Sequence, residues 1–381
     1  MTASLVYLDN NATTPVDPEV LNAMLPWFSE RFGNAASITH QMGLDASDAV
    51  EEARQQIADS LNVGLREVIF TSGATESNNL AIKGTMRSAG RGTHLIVSSA
   101  EHKAVLDPAN RLRREGFDVT VLPVDTHGCV SPDSVRQALR PTTALVSVML
   151  ANNEVGSLNP ITDIGEICRE AGVLLHCDAA QALGKIDVKP ADLNVDLMSL
   201  SAHKVYGPKG VGALYVRETE PALRIEPLQH GGGHENSLRS GTLPVPLIVA
   251  FGAATQIATD NLDTESKTLH DLRQQCWNQL NSQLDGLTLN GHPENRIPGN
   301  LNFSVPEVDG DVLMSNIVGV AISNGSACTT ADPEPSHVLL AMGRSARTAR
   351  ASLRLGFGRF NTAADVSVAV SSIVAAVRAS Q

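Results

Sequence analysis

Seven short apolar runs alternate with amphipathic stretches through the middle of the chain, and this alternation limits the fold more than any other feature. The runs are EVIFTSG, THLIVSSA, DVTVLPV, ALVSVMLA, GVLLHCDA, VDLMSLSA and VGALYVR. Between them lie helical patterns, among them SDAVEEARQQIADSLN, TESNNLAIKGTMRSA, DSVRQALR and ITDIGEICREAG. Strands buried on both faces read as continuous apolar runs, and the intervening helices make the crossovers of a parallel sheet. The chain is therefore expected to be α/β. From about residue 260 the texture changes to a long polar helix, TLHDLRQQCWNQLNSQL, then strand-like NLNFSV and VGVAISNG, then a last helix near Gln381. This predicts a second, smaller α+β domain, since 381 residues exceed what one core commonly serves.

Composition removes several other classes. Hydrophobic residues make up 42% of the chain and charged ones 18%, which excludes collagen-like, disordered and coiled-coil readings. A net charge of −12 with no lysine–arginine stripe argues against direct nucleic-acid binding and against an anionic membrane surface. No apolar run approaches the roughly 18 residues of a membrane helix, and Met1 to Asp9 lacks the basic-then-apolar order of a secretory signal. The five cysteines, Cys129, Cys168, Cys177, Cys276 and Cys328, are odd in number and far apart, with no C-x-x-C pair. That pattern points away from a disulfide framework or a metal site, and the expected location is a reducing cytoplasm.

The ends of the predicted strands carry polar residues that a plain core strand does not need. In open α/β sheets, ligands sit at those ends. FTSGATESNN leaves a strand at Ser72-Gly73-Ala74 and opens a helix with Thr75 in its first turn. The N–H groups there, with the Thr75 hydroxyl, suit either an ordinary helix cap or a bound phosphate. SSAEHKAV ends in His102, VMLANNEVG in Asn152, Asn153 and Glu154, and LLHCDAAQ in Asp178 followed by Gln181. A lone strand-end histidine is commonly structural, but a carboxylate after an apolar strand is costly unless it meets a cation. SLSAHKVYGPKGVGALYVR then sets Lys204, with Ser201 and His203 beside it, at the tip of another apolar strand. Lysine belongs on the surface unless something wants its amine. Lys209 competes for that role, but it lies among glycines, where a solvated lysine needs no explanation.

One cofactor, pyridoxal 5'-phosphate, accounts for these features together. Its phosphate suits the Gly73-Ala74-Thr75 turn, its ring nitrogen Asp178, its aldehyde Lys204 and its ring face His102. A carboxylate about 4 Å from the ring nitrogen gains roughly 4 kcal/mol at an effective dielectric near 20. That is about three pK units, enough to keep the ring protonated at neutral pH.

These residues resemble the cysteine desulfurases of the NifS/IscS type, in the class V aminotransferase group. The matching blocks run from YLDNNATTPVDPEV at Tyr7 to LRLGFGRF ending at Phe360. Between them come FGNAASITHQMG, FTSGATESNN, EHKAV, NNEVG, DAAQ, SAHKVYGPKGVGALYVR, RSGT, NGSACTT and PSHVLLAMG, in family order. The resemblance implies a fold-type I pyridoxal-phosphate transferase. Residues 16–260 would form a large cofactor-binding domain with a mainly parallel seven-stranded sheet. Residues 1–15 and 261–381 would form a smaller α+β domain carrying a catalytic cysteine loop.

The resemblance also implies roles. Sulfur would leave L-cysteine as a persulfide on Cys328, giving L-alanine, and pass to a sulfur-acceptor protein. Iron–sulfur cluster assembly, tRNA thiolation and DNA sulfur modification are the pathways such enzymes serve. Lys204 would hold the cofactor and shuttle protons, and His102 would stack on its ring and share the acid–base work. Asp178 would hold the ring nitrogen and Gln181 the phenolic oxygen. Ala74, Thr75, Ser201 and His203 would bind the phosphate, with Thr242 of RSGT reaching in from the second subunit of a homodimer. Arg354 and Asn153 would hold the substrate carboxylate, with Asn11 nearby and Asn153 also facing the cofactor.

Four cysteines read as buried or incidental thiols: Cys177 in an apolar strand, Cys168 and Cys276 in helical patterns, Cys129 in a turn. Cys328 lies in NGSACTTADPEPS, the composition of an exposed loop. Composition alone leaves it incidental or nucleophilic, and the family block selects the nucleophile. A selenocysteine lyase or an aminotransferase would share the lysine and aspartate, and a non-enzymatic sulfur-transfer scaffold is the remaining alternative. The complete Asp178, Lys204 and His102 set speaks against that last reading. His234 stands where many members have glutamine, and Cys177 where valine is common. The chain also stops soon after its last helix, without the tail by which housekeeping members dock an iron–sulfur scaffold.

Overall fold

The protein is described by a computed structural model over residues 5–88, 90, 92–324 and 334–381. In chain order its strands are β1 (Val6–Tyr7), β2 (Val68–Thr71), β3 (His94–Ser98), β4 (Asp118–Leu122), β5 (Thr143–Ser147) and β6 (Leu174–Asp178). Then follow β7 (Leu197–Ser201), β8 (Gly212–Val216), β9 (Thr288–Asn290), β10 (Asn300–Ser304), β11 (Val320–Ala321) and β12 (Ser352–Gly356). Seven of them form one sheet in the order β2-β8-β7-β6-β5-β3-β4. The β3/β4, β3/β5, β5/β6 and β6/β7 pairs are parallel, and only β8 runs against its neighbours, β7 and β2. The α/β class and the mainly parallel seven-stranded sheet read from the sequence are both present.

The burial pattern explains why these strands were legible. β3, β5, β6 and β7 are buried at every position. Alternate residues enter two separate cores, Phe70, Ile96, Val146 and Met198 on one face and Ile69, Leu95, Leu145 and Leu197 on the other. Both faces are therefore covered, and neither needs polar residues. The reversal of β8 matters for the site. It lets a turn rather than a crossover helix join β7 to β8, and Lys204 sits in the 3₁₀ turn Ala202–Lys204 that opens this connection.

Helices Gln41–Leu61 and Val245–Asp260 close the first core, pressed together where a Cβ on Gly252 would lie 2.6 Å from Ala53 Cα. The helix predicted over TESNNLAIKGTMRSA is interrupted, with Ala74–Asn79 passing through a π turn, Leu80–Gly84, into Thr85–Arg87. The Gly84 carbonyl accepts from Glu226 N, and a Cβ on Gly84 would meet Ile225 Cγ2 at 2.5 Å. A crossing segment has taken the place of a regular helical turn.

A three-stranded antiparallel sheet, β12-β10-β9, organises the rest. Its Leu301, Phe303, Leu353 and Leu355 share a core with Leu272 and Leu280 of helix Leu262–Asn281 and with Val370 and Ile373 of helix Ala363–Ser380. Val6 and Leu8 of the N-terminal arm join this core. Of VGVAISNG only β11 is strand, paired in parallel with β1. Among the described residues, Ala363–Ser380 is the one helix long and apolar enough to cross a membrane, although its apolar stripe is buried on this sheet.

Arg359, just beyond β12, ties the second sheet to the N-terminal segment and to the turn after β7. It donates to Asp17 at 2.7 Å and to Glu265 at 2.8 Å, and its guanidinium lies 4.2 Å from the centre of the Tyr206 ring.

Candidate active site

The carboxyl ends of β6 and β7 and the turn after β2 surround one cavity of about 510 Å³, the size of a small-molecule site. Lys204 enters it from the turn after β7. Its Nζ donates to the Asn11 and Ala12 carbonyls, each at 2.7 Å. The arm that supplies those carbonyls also laces the turn: Thr14 N donates to His203 O, Tyr206 N to Thr14 Oγ1, and Asp17 N to Tyr206 O. Tyr206 itself has φ +63, an uncommon conformation for a bulky residue, and this lacing holds it. Lys209 also lines the cavity but is exposed, whereas Lys204 is half-buried.

Asp178, the last residue of β6, is buried and anchored on both oxygens. Asn78 Nδ2 donates to Oδ2 at 2.7 Å, and Ala180 N donates to Oδ1 at 3.0 Å. His102 caps helix Lys103–Arg114, with Ala104 N donating to its Nδ1 at 3.1 Å. That bond assigns the proton of the neutral ring to Nε2. Burial holds the His102 pKa below the usual histidine value, Asp178 opposing this and Lys204 reinforcing it. Behind them Glu101 is fully buried, accepts from Met149 N at 2.8 Å, and is pushed by burial well above the usual carboxyl range. A second buried carboxyl thus stands beside Asp178 with its hold on a proton strengthened by burial.

The opposite wall suits an anion. Ser72, Gly73, Ala74 and Thr75 line it from the start of the Ala74–Asn79 helix, facing Ser201 and His203. First-turn N–H groups have no acceptor within their own helix. Gly73 has φ +145, and Gly212 approaches so closely that a Cβ on it would lie 2.7 Å from Gly73 Cα. Burial, with Lys204, Lys209 and Lys185 adding to it, lowers the His203 pKa to about 4. The ring is therefore a neutral donor until an anion arrives.

The second sheet supplies Arg354, on β12. Its Nη2 donates to Asp9 Oδ1 at 2.8 Å and its Nη1 to Asn153 O at 3.1 Å. Arg354 Nε and Asn153 Oδ1 are buried without a hydrogen-bond partner, a costly condition that a bound ligand would relieve. Gln181 links this wall to the arm, its Nε2 donating to Asn11 O at 2.7 Å.

Of the residues named from the sequence, Asn11, Ala74, Thr75, His102, Asn153, Asp178, Gln181, Ser201, His203, Lys204 and Arg354 all line this cavity. Thr242 does not line it and is exposed. Cys328 lies outside the described residues. Sequence reasoning missed Asp9, Asn78, Glu101 and Lys185. Asn78 had a signal, since it falls one helical turn after Ala74 and Thr75, on the same face. Asp9 had a weaker one, an acid closing the apolar run LVYLD.

The aminotransferase class-V family pattern matches residues 6–368. The chain belongs to that family. It is similar to the cysteine desulfurase IscS of Anaeromyxobacter dehalogenans (strain 2CP-C), at 51% identity over 96% of this chain and 90% of that one. Among solved structures it is similar to a NifS-like protein, with a TM-score of 0.90 and 37% identity over 97% of this chain and 98% of the other. A structure described as SspA in complex with cysteine superposes with a TM-score of 0.83 and 39% identity, over 94% of this chain and 100% of that one.

Proposed function

We infer that this chain is a pyridoxal-phosphate-dependent cysteine desulfurase, converting L-cysteine and a protein thiol into L-alanine and a protein persulfide. The observation that carries the reading is one cavity lined by Lys204, Asp178 and a buried arginine, Arg354, whose Nε lacks an acceptor. The donor set fits the cofactor. Asp178 would take the ring nitrogen, His102 the ring face, Gln181 the phenolic oxygen, and Lys204 the aldehyde carbon. Ala74, Thr75, Ser201 and His203 would take the phosphate. Bound there, the cofactor supplies an electron sink for the substrate's Cα.

The chain's own groups divide the remaining work. Arg354 Nε and Asn153 hold and orient the substrate carboxylate in a charge-assisted contact. Lys204, drawn off the Asn11 and Ala12 carbonyls, moves the proton at the substrate Cα. His102 holds a proton on Nε2 for delivery toward the substrate. Cys328, as thiolate, attacks the substrate sulfur, whose bond to carbon breaks as carbon takes a proton. Its assignment rests on the loop sequence and the family block. The resulting persulfide serves a sulfur-acceptor protein.

Two further readings belong to this proposal. Residues 16–260 and the combination of 1–15 with 261–381 act as two domains, supported by the separate core that Val6 and Leu8 share with the second sheet. The working unit is a homodimer, in which Thr242 serves the neighbouring site. Exposed Leu25, Phe28, Phe32 (66%) and Ile38 (77%) support a covered surface near the N-terminus. Light scattering should give the mass of two chains, and a monomer with full cofactor content would sink the dimer.

The test of the activity is Cys328→Ala. The variant should keep the cofactor's visible absorbance and its spectral response to cysteine, yet release no sulfide and carry no persulfide on the corresponding peptide. Sulfide release at the wild-type rate would overturn the persulfide step on Cys328, whereas transfer of the amino group to a keto acid with no sulfide from wild type or variant would favour an aminotransferase.

A further inference from the structure

Lys185 stands behind the site, and nothing in the chemistry above uses it. It follows the DAAQ turn, and Gly184 beside it has φ +69, with a Cβ position only 2.5 Å from Val205 Cγ2. Only a glycine there lets this turn close onto the Lys204 turn. The backbone of Lys185 is fixed as well, its carbonyl accepting from Ser266 Oγ at 2.9 Å. Its ammonium donates to Gln181 Oε1 at 2.8 Å, and among the described residues no carboxylate lies within ion-pair distance of it. A half-buried lysine facing a neutral amide is an expensive arrangement if it serves packing alone.

The bond decides which way the Gln181 amide faces. Oε1 accepts from Lys185 and, at 3.3 Å, from Asn11 Nδ2, so both of its lone pairs are engaged. Nε2 gives one N–H to Asn11 O. The other N–H has no acceptor among the described residues, and Gln181 lines the cavity. A flipped amide would set NH₂ against an ammonium, which no hydrogen-bond assignment tolerates. We propose that Lys185 is a positioning residue that locks Gln181 as a donor toward the ligand and places a positive charge behind that donor. The ligand group served is an ionised ring oxygen, so the inference rests on the cofactor reading above.

The surrounding charges support a tuned cation. Lys204 and His203 face Lys185 from the turn after β7, Arg354 from β12, and Glu265 from helix Leu262–Asn281. Burial first, then Lys204, lowers the Lys185 pKa to about 7, with Glu265 opposing. An anionic oxygen on the far side of Gln181 would draw the lysine back toward its charged form.

An ionised ring oxygen stabilised in this way holds its shared proton less tightly. In Lys185→Met holoprotein the visible band should therefore titrate at a higher pH, by about one unit, the size of a hydrogen bond to the ionised oxygen weakened when the Gln181 amide is free to turn. Lys185→Arg, which keeps charge and donor, should titrate with wild type. In a Gln181→Leu background, Lys185→Met should add no more than about a quarter of that shift, because the coupling runs through Gln181. Identical titrations in wild type and Lys185→Met, or full additivity with Gln181→Leu, would overturn the inference while leaving the cofactor in place. A wild-type protein whose visible band is absent, or is not fixed by borohydride onto Lys204, would instead overturn the cofactor reading and the inference with it.

Discussion

Arg54 and Arg354 are both buried, at 8% and 3% exposure, and both meet carboxylates, yet their surroundings differ. Arg54 is saturated. Its Nη1 and Nη2 grip the two oxygens of Glu235 at 2.8 Å each, Nη1 also reaches Val68 O, and Nε reaches Glu51. The guanidinium covers the Phe70 ring at 4.6 Å, and Glu235 in turn accepts from Phe70 N. Every nitrogen has an acceptor, so the group fastens helix Gln41–Leu61 to β2 and offers nothing to a ligand. Arg354 is left incomplete, with one oxygen of Asp9, one backbone carbonyl and an unpartnered Nε at a cavity wall. At the cavity wall, Arg354 differs from Arg54 in the acceptor it lacks, not in its charge.

The difference can be broken most forcefully at Arg54. Arg54→Met leaves Glu235 buried without its cation, and removing one partner of a buried pair costs about 3–5 kcal/mol. Urea denaturation should show that loss, while the folded fraction keeps its wild-type KM for cysteine. A cost below about 1 kcal/mol would mean that the pair is not structural.

Arg354→Gln should do the reverse. Losing a charge-assisted hydrogen bond is worth about 1.5–3 kcal/mol, so KM for cysteine should rise about 10- to 100-fold. Stability should change by no more than about 1 kcal/mol, because Asp9 can turn to water. An unchanged KM alongside a large loss of stability would place Arg354 in the same class as Arg54.

Asp9 sharpens the contrast with the smallest effect. Asp9→Asn keeps the oxygen that orients Arg354 but removes a negative charge beside the carboxylate site. Across about 6 Å at a water-like dielectric this is worth about 0.7 kcal/mol, so KM should fall about threefold. A rise in KM would show that the Asp9 charge, not its geometry, holds Arg354 in place.

Both cores contain elements that could be read in one dimension and elements that could not. β3, β5, β6 and β7 were visible because burial on two faces leaves an unbroken apolar string. Helix Val245–Asp260 was not, because it is apolar nearly all round and shows no polar face to set its period. β9 is too short to carry a pattern and exists through its partner β10, and β11 keeps only the two residues of the strand-like VGVAISNG that pair with β1. In the cavity, Asp178 and Lys204 stood out because each ends an apolar strand, where an ionisable group has a visible cost. Glu101 escaped notice beside a more conspicuous His102. Asp9 and Lys185 escaped because their meaning lies in partners 345 and 4 positions away, Arg354 and Gln181.

Periodicity and the chemistry of strand ends therefore determine the α/β class, the mainly parallel sheet and the lysine–aspartate pair. Each of these is a local statement about where apolar surface stops. Which arginine is satisfied and which waits for an anion is not local. Nor is the direction of the Gln181 amide, or the upward push that burial gives the Glu101 carboxyl. Those depend on which donors, acceptors and low-dielectric walls folding brings within about 3 Å of one another. Only the tertiary structure counts the partners.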